Sequence, residues 1–441
     1  MSNWVIRNAQ LINEGRRWSA DVRVRAGRIE QIGGSFGVRG GEREYDAAGR
    51  WLLPGLIDDQ VHFREPGLEY KATIATESRA AVAGGITSFM EMPNTKPPAT
   101  DFESLRDKRS RAAASSLGNY AFYLGATNDN IEVLRRATPT EACGIKVFMG
   151  ASTGNMLVDD PQTLDAIFRD AALLLITHCE DSPTIARNQA AAQAEGRTLT
   201  AVDHPNIRSR EACIKSTRLA RELALRHDAR LHVLHVSTAD EAALFAAGPI
   251  ESKRITAETC VHYLHFDADD YPRLGNRIKC NPSIKLASDR VALIQALNEG
   301  RIDVLATDHA PHTAEEKALP YLEAPSGLPL VQHALQIALR HLSPEMVVER
   351  FCHAPARLFG LRGRGFLHEG AFADLTLVDP TQHEAVRQKE LLSKCAWSPF
   401  EGETLPTRVA ATWVNGHLAW DGERLDDSQL GMAMETLRGR D

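Results

Sequence analysis

Eight short apolar runs rich in β-branched residues, most followed by a polar loop and then a longer stretch of helical periodicity, occupy the region from about Trp51 to Phe366. They are GLIDDQV from Gly55, ITSFME from Ile86, NYAFYLG from Asn119, GIKVFMG from Gly144, ALLLIT from Ala172, RLHVLH from Arg230, SKRITAE from Ser252 and IDVLAT from Ile302. Eight strand-then-helix units in succession predict an α/β chain folded as a TIM-type (β/α)8 barrel. Several runs end in, or directly precede, a side chain able to bind metal or substrate: His62, Asn94, His178, His235 and Asp308, while Lys146 lies inside its run. The C-terminal strand ends of such a barrel converge on one face, so residues remote in sequence are expected to meet there.

The flanking segments carry a different pattern. NWVIRNAQLINEGRRWSADVRVRAGRIEQIG, and later ADLTLVDP and TRVAATWVNGHLAWDGERL, alternate apolar and polar positions with Gly and Asn punctuation, the signature of strands outside the barrel. They predict one small composite β-sandwich assembled from residues about 1–52 and 367–425, followed by a helical tail. The expected domains are therefore 1–52 plus 367–441 and a catalytic barrel over 53–366, for which a chain of 441 residues is long enough. No low-complexity segment or fixed-period repeat is evident.

Composition narrows the function classes. The opening MSNWVIRNAQLINEGRRW has no basic segment followed by an apolar one, and no apolar run approaches the roughly 20 residues of a membrane span, so a cytoplasmic protein is expected. The seven cysteines (143, 179, 213, 260, 280, 352 and 395) are scattered and form no Cys-x-x-Cys pair, which points to reduced, packed thiols. A formal net charge of -7 without a lysine or arginine block argues against nucleic acid or an anionic membrane as partner. An anionic substrate would need a local cation to capture it.

The segment PGLIDDQVHFREPG at 54–67 offers such a cation beside a metal-capable histidine. His62 reads as a metal ligand or as a strand cap satisfied by backbone. Arg64, two residues on, suits bidentate capture of a carboxylate, although a lone arginine is more often a surface ion-pair residue. Lys146 sits in an apolar strand, where an unpaired ammonium is costly, so its tip must reach the barrel mouth, pair with Asp308 or be chemically changed. His178 and His235 close successive runs and could ligate together, whereas His232 falls inside its run and reads as structural. Asp308 stands with His309 and His312 after the last run, as a metal-facing base or as a helix cap. Asn94 and Asn281 are candidate substrate contacts or simple turn residues.

The first segment resembles the signature of the dihydroorotase branch of the amidohydrolase superfamily, and MPNT at 92–95, HCED at 178–181, HVST at 235–238, AETCVHYL at 257–264 and TDHAPH at 307–312 are similar to further family blocks in the family's order. The resemblance covers essentially the whole chain. It implies a hydrolase of ring amides, interconverting dihydroorotate and N-carbamoyl-aspartate in pyrimidine biosynthesis, with one or two zinc ions and an aspartate base. It further implies that Lys146 is carboxylated and that this carbamate, His62, His178, His235 and Asp308 hold the metal. By the same resemblance Asp308 is general base and then acid, and His62, Arg64, Asn94, Asn281, His312 and the backbone around Ser326, Gly327 and Leu328 contact substrate. A homodimer, and association with aspartate transcarbamoylase, are also family traits.

One departure matters. Relatives usually carry His-x-His at the end of the first strand, where this chain has Gln60-x-His62, and an amide oxygen is a poor zinc ligand beside an imidazole. The first metal position is therefore expected to be weak, empty, or bound through Gln60 and water. Two other readings stay open: a hydantoinase, dihydropyrimidinase or allantoinase, whose substrates lack the ring carboxylate that Arg64 would hold, and a non-catalytic scaffold subunit. The polar 309–327 loop is long enough to act as a lid.

Overall fold

The computed structural model describes residues 3–150 and 156–437. Eight parallel strand positions form the barrel: Leu56–Val61, Ile86–Glu91, Asn119–Phe122 continued by Leu124–Gly125, Ile145–Phe148, Leu175–His178, Leu231–Val233, Ile255–Cys260 and Val304–Ala306. Apart from the half-buried Ile255, every residue of these strands is buried, because one face looks into the barrel and the other is covered by helices. That two-sided burial is why most of them read as short, predominantly apolar runs. The ring closes where the first and last strands meet. Val61 bridges His309 in parallel, the His62 amide donates to the His309 carbonyl at 2.7 Å, and Asp58 accepts both the amide and the hydroxyl of Thr307, at 3.1 and 2.6 Å.

The outer helices begin on local signals. Thr73 and Thr76 form a capping box before Ile74–Ala83, and Asp101 and Ser104 do the same before Phe102–Ser115. Ser209 caps Arg210–Arg226, the longest helix among the described residues.

The two flanking segments form one mixed sheet of eight strands: Asn3–Asn13, Arg16–Arg25, Arg28–Gly33, Glu42–Asp46, Trp51–Pro54, Leu375–Asp379, Arg408–Val414 and His417–Trp420. Trp51–Pro54 joins its halves, running parallel to Asn3–Asn13 on one side and antiparallel to Leu375–Asp379 on the other. The sheet has its own apolar core, which includes Trp4, Ile6, Leu11, Val22, Leu375 and Trp413. Asp374 ties it to the barrel: its carboxylate accepts from Asn119 of the third barrel strand and from the Asn415 amide, and pairs with Arg364.

The segment after Leu425 corrects the expected helical tail. Over its described part it runs extended along the third barrel strand, where Ala433 bridges Tyr120, Met434 N–H donates to the Tyr120 carbonyl at 2.9 Å and Tyr120 N–H to Met432 at 3.1 Å. Leu437 then donates to Gly360 at 3.2 Å. Its backbone groups are spent on the barrel, which overrides the helix preference of its Met, Ala, Glu and Leu residues. A Cβ at Gly431 would lie 2.1 Å from the Gly118 carbonyl oxygen, so only glycine permits this approach. All seven cysteines are buried and unbridged, and no helix among the described residues is long and apolar enough to cross a membrane.

Candidate active site

The C-terminal strand ends surround a cavity of about 270 Å³ lined by His62, Arg64, Asn94, Lys146, His178, His235, Asn281, Asp308, His312 and Gly327, so the structure brings together all ten residues singled out in the sequence. Gln60 lines it too, with Phe148, Ala310, Pro325 and Ser326, whereas Leu328 is not among the lining residues. Arg64, His235 and Asp308 adopt positive φ angles of 69°, 40° and 51°. Side chains other than glycine rarely hold this region, and such strain concentrates at functional sites.

One wall is built from the first, second and last strands. His62 Nδ1 lies 2.8 Å from the side-chain amide of Asn94, and Nε2 lies 3.1 Å from Asp308 Oδ1, to which it donates. Gln60 Nε2 donates to the same oxygen at 3.0 Å. The amide nitrogen must be the atom facing Asp308, because the reverse orientation would set two oxygens against each other. Its Oε1 is buried without a hydrogen-bond partner. Desolvation holds the His62 imidazole below its ordinary value.

Opposite stand Lys146, His178 and His235. The Lys146 ammonium has no hydrogen bond or ion pair among the described residues, only the face of Phe148 at 4.8 Å, and burial lowers it to about 8. His178 Nδ1 and His235 Nε2 face each other at 2.9 Å with the rings edge to face. His178 Nε2 donates to Glu180 at 3.0 Å, so its Nδ1 carries a lone pair. Glu180 pairs with Arg208; against burial, which raises it, Arg208 and then His178 hold its carboxyl down to about 2. His235 is held well below the ordinary histidine value, first by burial and then by His178 and Lys146, and its Nδ1 is buried without a partner.

A cationic corner completes the cavity. Arg64 is 8% exposed, donates through Nε to the Pro311 carbonyl at 3.0 Å, and has no carboxylate within ion-pair distance among the described residues. Burial lowers its guanidinium to about 10, still charged at neutral pH. Lys71 Nζ donates to His312 Nδ1 at 2.9 Å, and His312 Nε2 lies 3.0 Å from both Arg64 Nη2 and the Ser326 carbonyl, so the imidazole is held between two cations at the edge of the cavity. Gly327, at φ 144°, packs so closely that a Cβ would sit 2.4 Å from the Ala310 carbonyl oxygen.

The 309–327 segment is built into the cavity wall. It carries the short helix Ala314–Lys317, and the Lys317 ammonium donates to the carbonyls of Lys279, Pro325 and Gly327 at 3.1, 2.9 and 3.0 Å. Lys279 in turn donates to Tyr321 and Ala324. Sequence reasoning did not single out Glu180, Arg208, Lys71 or Lys317. Glu180 lies inside the HCED block two residues from His178, a spacing that hints at a carboxylate behind a ligand; the others have no local signal.

The chain matches the amidohydrolase family over residues 51–419. It is 36% identical over 430 residues to the dihydroorotase of Halobacterium salinarum, covering 95% of this chain and 97% of that protein. It is 35% identical over 434 residues to the allantoinase of Streptomyces avermitilis, covering 95% and 96%. Its fold is similar to that of the L-hydantoinase (dihydropyrimidinase) from Arthrobacter aurescens, with a TM-score of 0.90 at 27% identity over 97% of this chain and 98% of that one. The chain therefore belongs to the amidohydrolase family. Within that family it falls among the cyclic amidohydrolases.

Proposed function

We propose that this protein is a dihydroorotase, opening and closing the ring amide between dihydroorotate and N-carbamoyl-aspartate. The observation that carries the reading is Arg64, a buried guanidinium that faces the cavity without a carboxylate partner. A buried cation is retained at cost unless a ligand neutralises it, and a planar fork suits a carboxylate. Dihydroorotate brings one, whereas allantoin, hydantoins and dihydropyrimidines carry none on the ring.

The donor set fits a divalent metal such as zinc. Two imidazole nitrogens converge at 2.9 Å, His235 Nδ1 has no competing partner, and Lys146 is an unpaired amine poised by burial to be substantially neutral near pH 8, the form that reacts with carbon dioxide. We assign the Lys146 carbamate, His178 and His235 as ligands, with His62 and Asp308 beside them. Bound there, zinc would supply Lewis acidity to the ring carbonyl and to the attacking water. With Gln60 offering Asp308 a donor rather than a lone pair, a single metal at this mouth is the reading we favour.

Arg64 receives the substrate carboxylate, with Asn94, Asn281 and His312 beside it, and this anchoring aims the ring amide toward Lys146, His178 and His235. Asp308 takes the proton of the attacking water as the carbon–oxygen bond forms, then gives it to the ring nitrogen as the carbon–nitrogen bond breaks. Gln60 and His62, both on Asp308 Oδ1, orient that carboxylate. The deciding experiment is turnover of dihydroorotate, allantoin, hydantoin and dihydrouracil by one preparation, with and without a chelator. Chelator-sensitive turnover of dihydroorotate alone is expected; preference for an uncharged ring would transfer the protein to that substrate, and no turnover of any would leave a scaffold subunit.

A further inference from the structure

Deeper in the barrel, beneath the cavity, three polar side chains from different strands converge. Asp59 comes from the first strand, His232 from the sixth and Glu258 from the seventh, and each is 0% exposed. His232 Nε2 lies 3.5 Å from Asp59 Oδ2 and 3.6 Å from Glu258 Oε2, and one donor atom from each of the three residues falls within 4.8 Å of the others. Both oxygens of Asp59, Oε2 of Glu258 and Nε2 of His232 have no hydrogen-bond partner. Four orphaned donor atoms in one dry space are far outside ordinary packing, where buried polar atoms are satisfied.

The second contacts of these residues prepare the first. His232 Nδ1 lies 2.8 Å from Thr256 Oγ1, whose hydroxyl is itself directed to the Leu231 carbonyl at 3.3 Å. The threonine oxygen therefore accepts the Nδ1–H, and Nε2 is left aimed at two carboxylates. This is the arrangement that orients a metal-binding histidine. The Tyr123 hydroxyl donates to the Asp59 carbonyl at 2.8 Å and holds that strand in place.

The spacing distinguishes two occupants. A proton on Nε2 would draw one carboxylate to the roughly 2.7–3.2 Å of a nitrogen–oxygen hydrogen bond. Donor atoms about 2.0–2.2 Å from a small tetrahedral cation stand about 3.4 Å apart, close to what is observed. Burial lowers the His232 imidazole but Asp59 and Glu258 more than offset it and raise it to about 9, so a divalent ion takes the place of that proton, and with the imidazole then neutral the ion balances the two carboxylates.

We propose that Asp59, His232 and Glu258 form a second, structural zinc site inside the barrel, separate from the cavity at its mouth. The remaining Glu258 oxygen, Oε1, lies 3.3 Å from the His235 amide, so the ion would brace the turn that presents His235. His232, which in the sequence reads as merely structural, becomes a ligand.

The test removes the mouth ligands first. A His178→Ala/His235→Ala variant, purified from zinc-supplemented medium and passed over a desalting column, is expected to retain about one zinc ion per chain by mass spectrometry. Adding His232→Ala, or Glu258→Gln as the milder change, is expected to remove it. In crystals of the unmodified protein, an anomalous peak at the zinc edge is expected between the three side chains. A double variant that is folded by circular dichroism yet holds no zinc would overturn the proposal. So would an anomalous map with no peak there, a measurement that stands even if the triple variant fails to fold.

Discussion

Gln60 donates its amide nitrogen to Asp308 Oδ1 at 3.0 Å, and His62 Nε2 meets the same oxygen at 3.1 Å. A position at which the resemblance leads one to expect a metal ligand is filled here by a hydrogen-bond donor. Replacing Gln60 by His should restore a lone pair and raise zinc content by about one ion per chain relative to the parent. Because the barrel interior is proposed to hold an ion of its own, the informative quantity is the increment between variants, measured by mass spectrometry, rather than the total. An unchanged count in Gln60→His would mean that the second mouth position is closed for another reason.

Arg64→Ala should raise KM for dihydroorotate by about 100-fold, the scale of one charge-assisted bidentate contact, while leaving any slow turnover of dihydrouracil unchanged. Arg64→Lys should recover only part of the loss, since an ammonium cannot grip both carboxylate oxygens. Steady-state kinetics on both substrates checks this. Equal losses on both would show that Arg64 supports the cavity rather than the substrate carboxylate.

Asp308→Asn should lower kcat by about 1000-fold with a small change in KM, because the amide keeps the shape of the carboxylate but cannot carry a proton between water and ring nitrogen. The Gln60 contact would survive only after the new side chain turns its oxygen to Gln60. A large rise in KM with little loss of kcat would move Asp308 from proton transfer to substrate binding.

Glu180 gives the protein a defined acid response. Its carboxyl is held at about 2 in the folded chain against an ordinary 4.5, so the unfolded chain binds the proton first as pH falls. The stabilisation is complete above about pH 4.5, is lost progressively toward pH 2, and amounts to on the order of 3 kcal/mol for a shift of this size. Urea unfolding at several pH values should therefore show a shallower acid dependence for Glu180→Gln than for the parent. Identical slopes would remove Glu180 from the acid response.

Gly431→Val should detach the extended tail, since the new Cβ would fall on the Gly118 carbonyl. A loss on the order of 2 kcal/mol and a new protease-sensitive site after Leu425 are expected, read by thermal unfolding and limited proteolysis. An unchanged melting temperature would mean that the tail contributes little to the barrel it lies on.

The barrel is legible in the sequence because strands buried on both faces write themselves as predominantly apolar runs, and residues such as His178 and Asp308 stand out where those runs end. The tail is not legible, since its composition favours a helix and only the free side of the third strand, created by the fold, makes it extended. Asp59, His232 and Glu258 escape for a related reason. Each lies within a barrel strand rather than at its end, and nothing local marks the convergence that closing the ring produces. Gln60 is intermediate: the missing histidine is visible in the sequence, but that its amide turns its nitrogen toward Asp308 is a property of the assembled site.

The strand Trp51–Pro54 lies between partners from opposite ends of the chain, one within residues 3–13 and the other within 375–379. During synthesis its antiparallel edge emerges from the ribosome more than three hundred residues before the strand that covers it. The nascent barrel must therefore form while a hydrophobic sheet edge waits open beside it, the kind of template on which neighbouring chains pair. Premature termination anywhere before Leu375 would leave that edge permanently bare, so incomplete chains of this protein should be sticky in proportion to how much of the sheet they have already made.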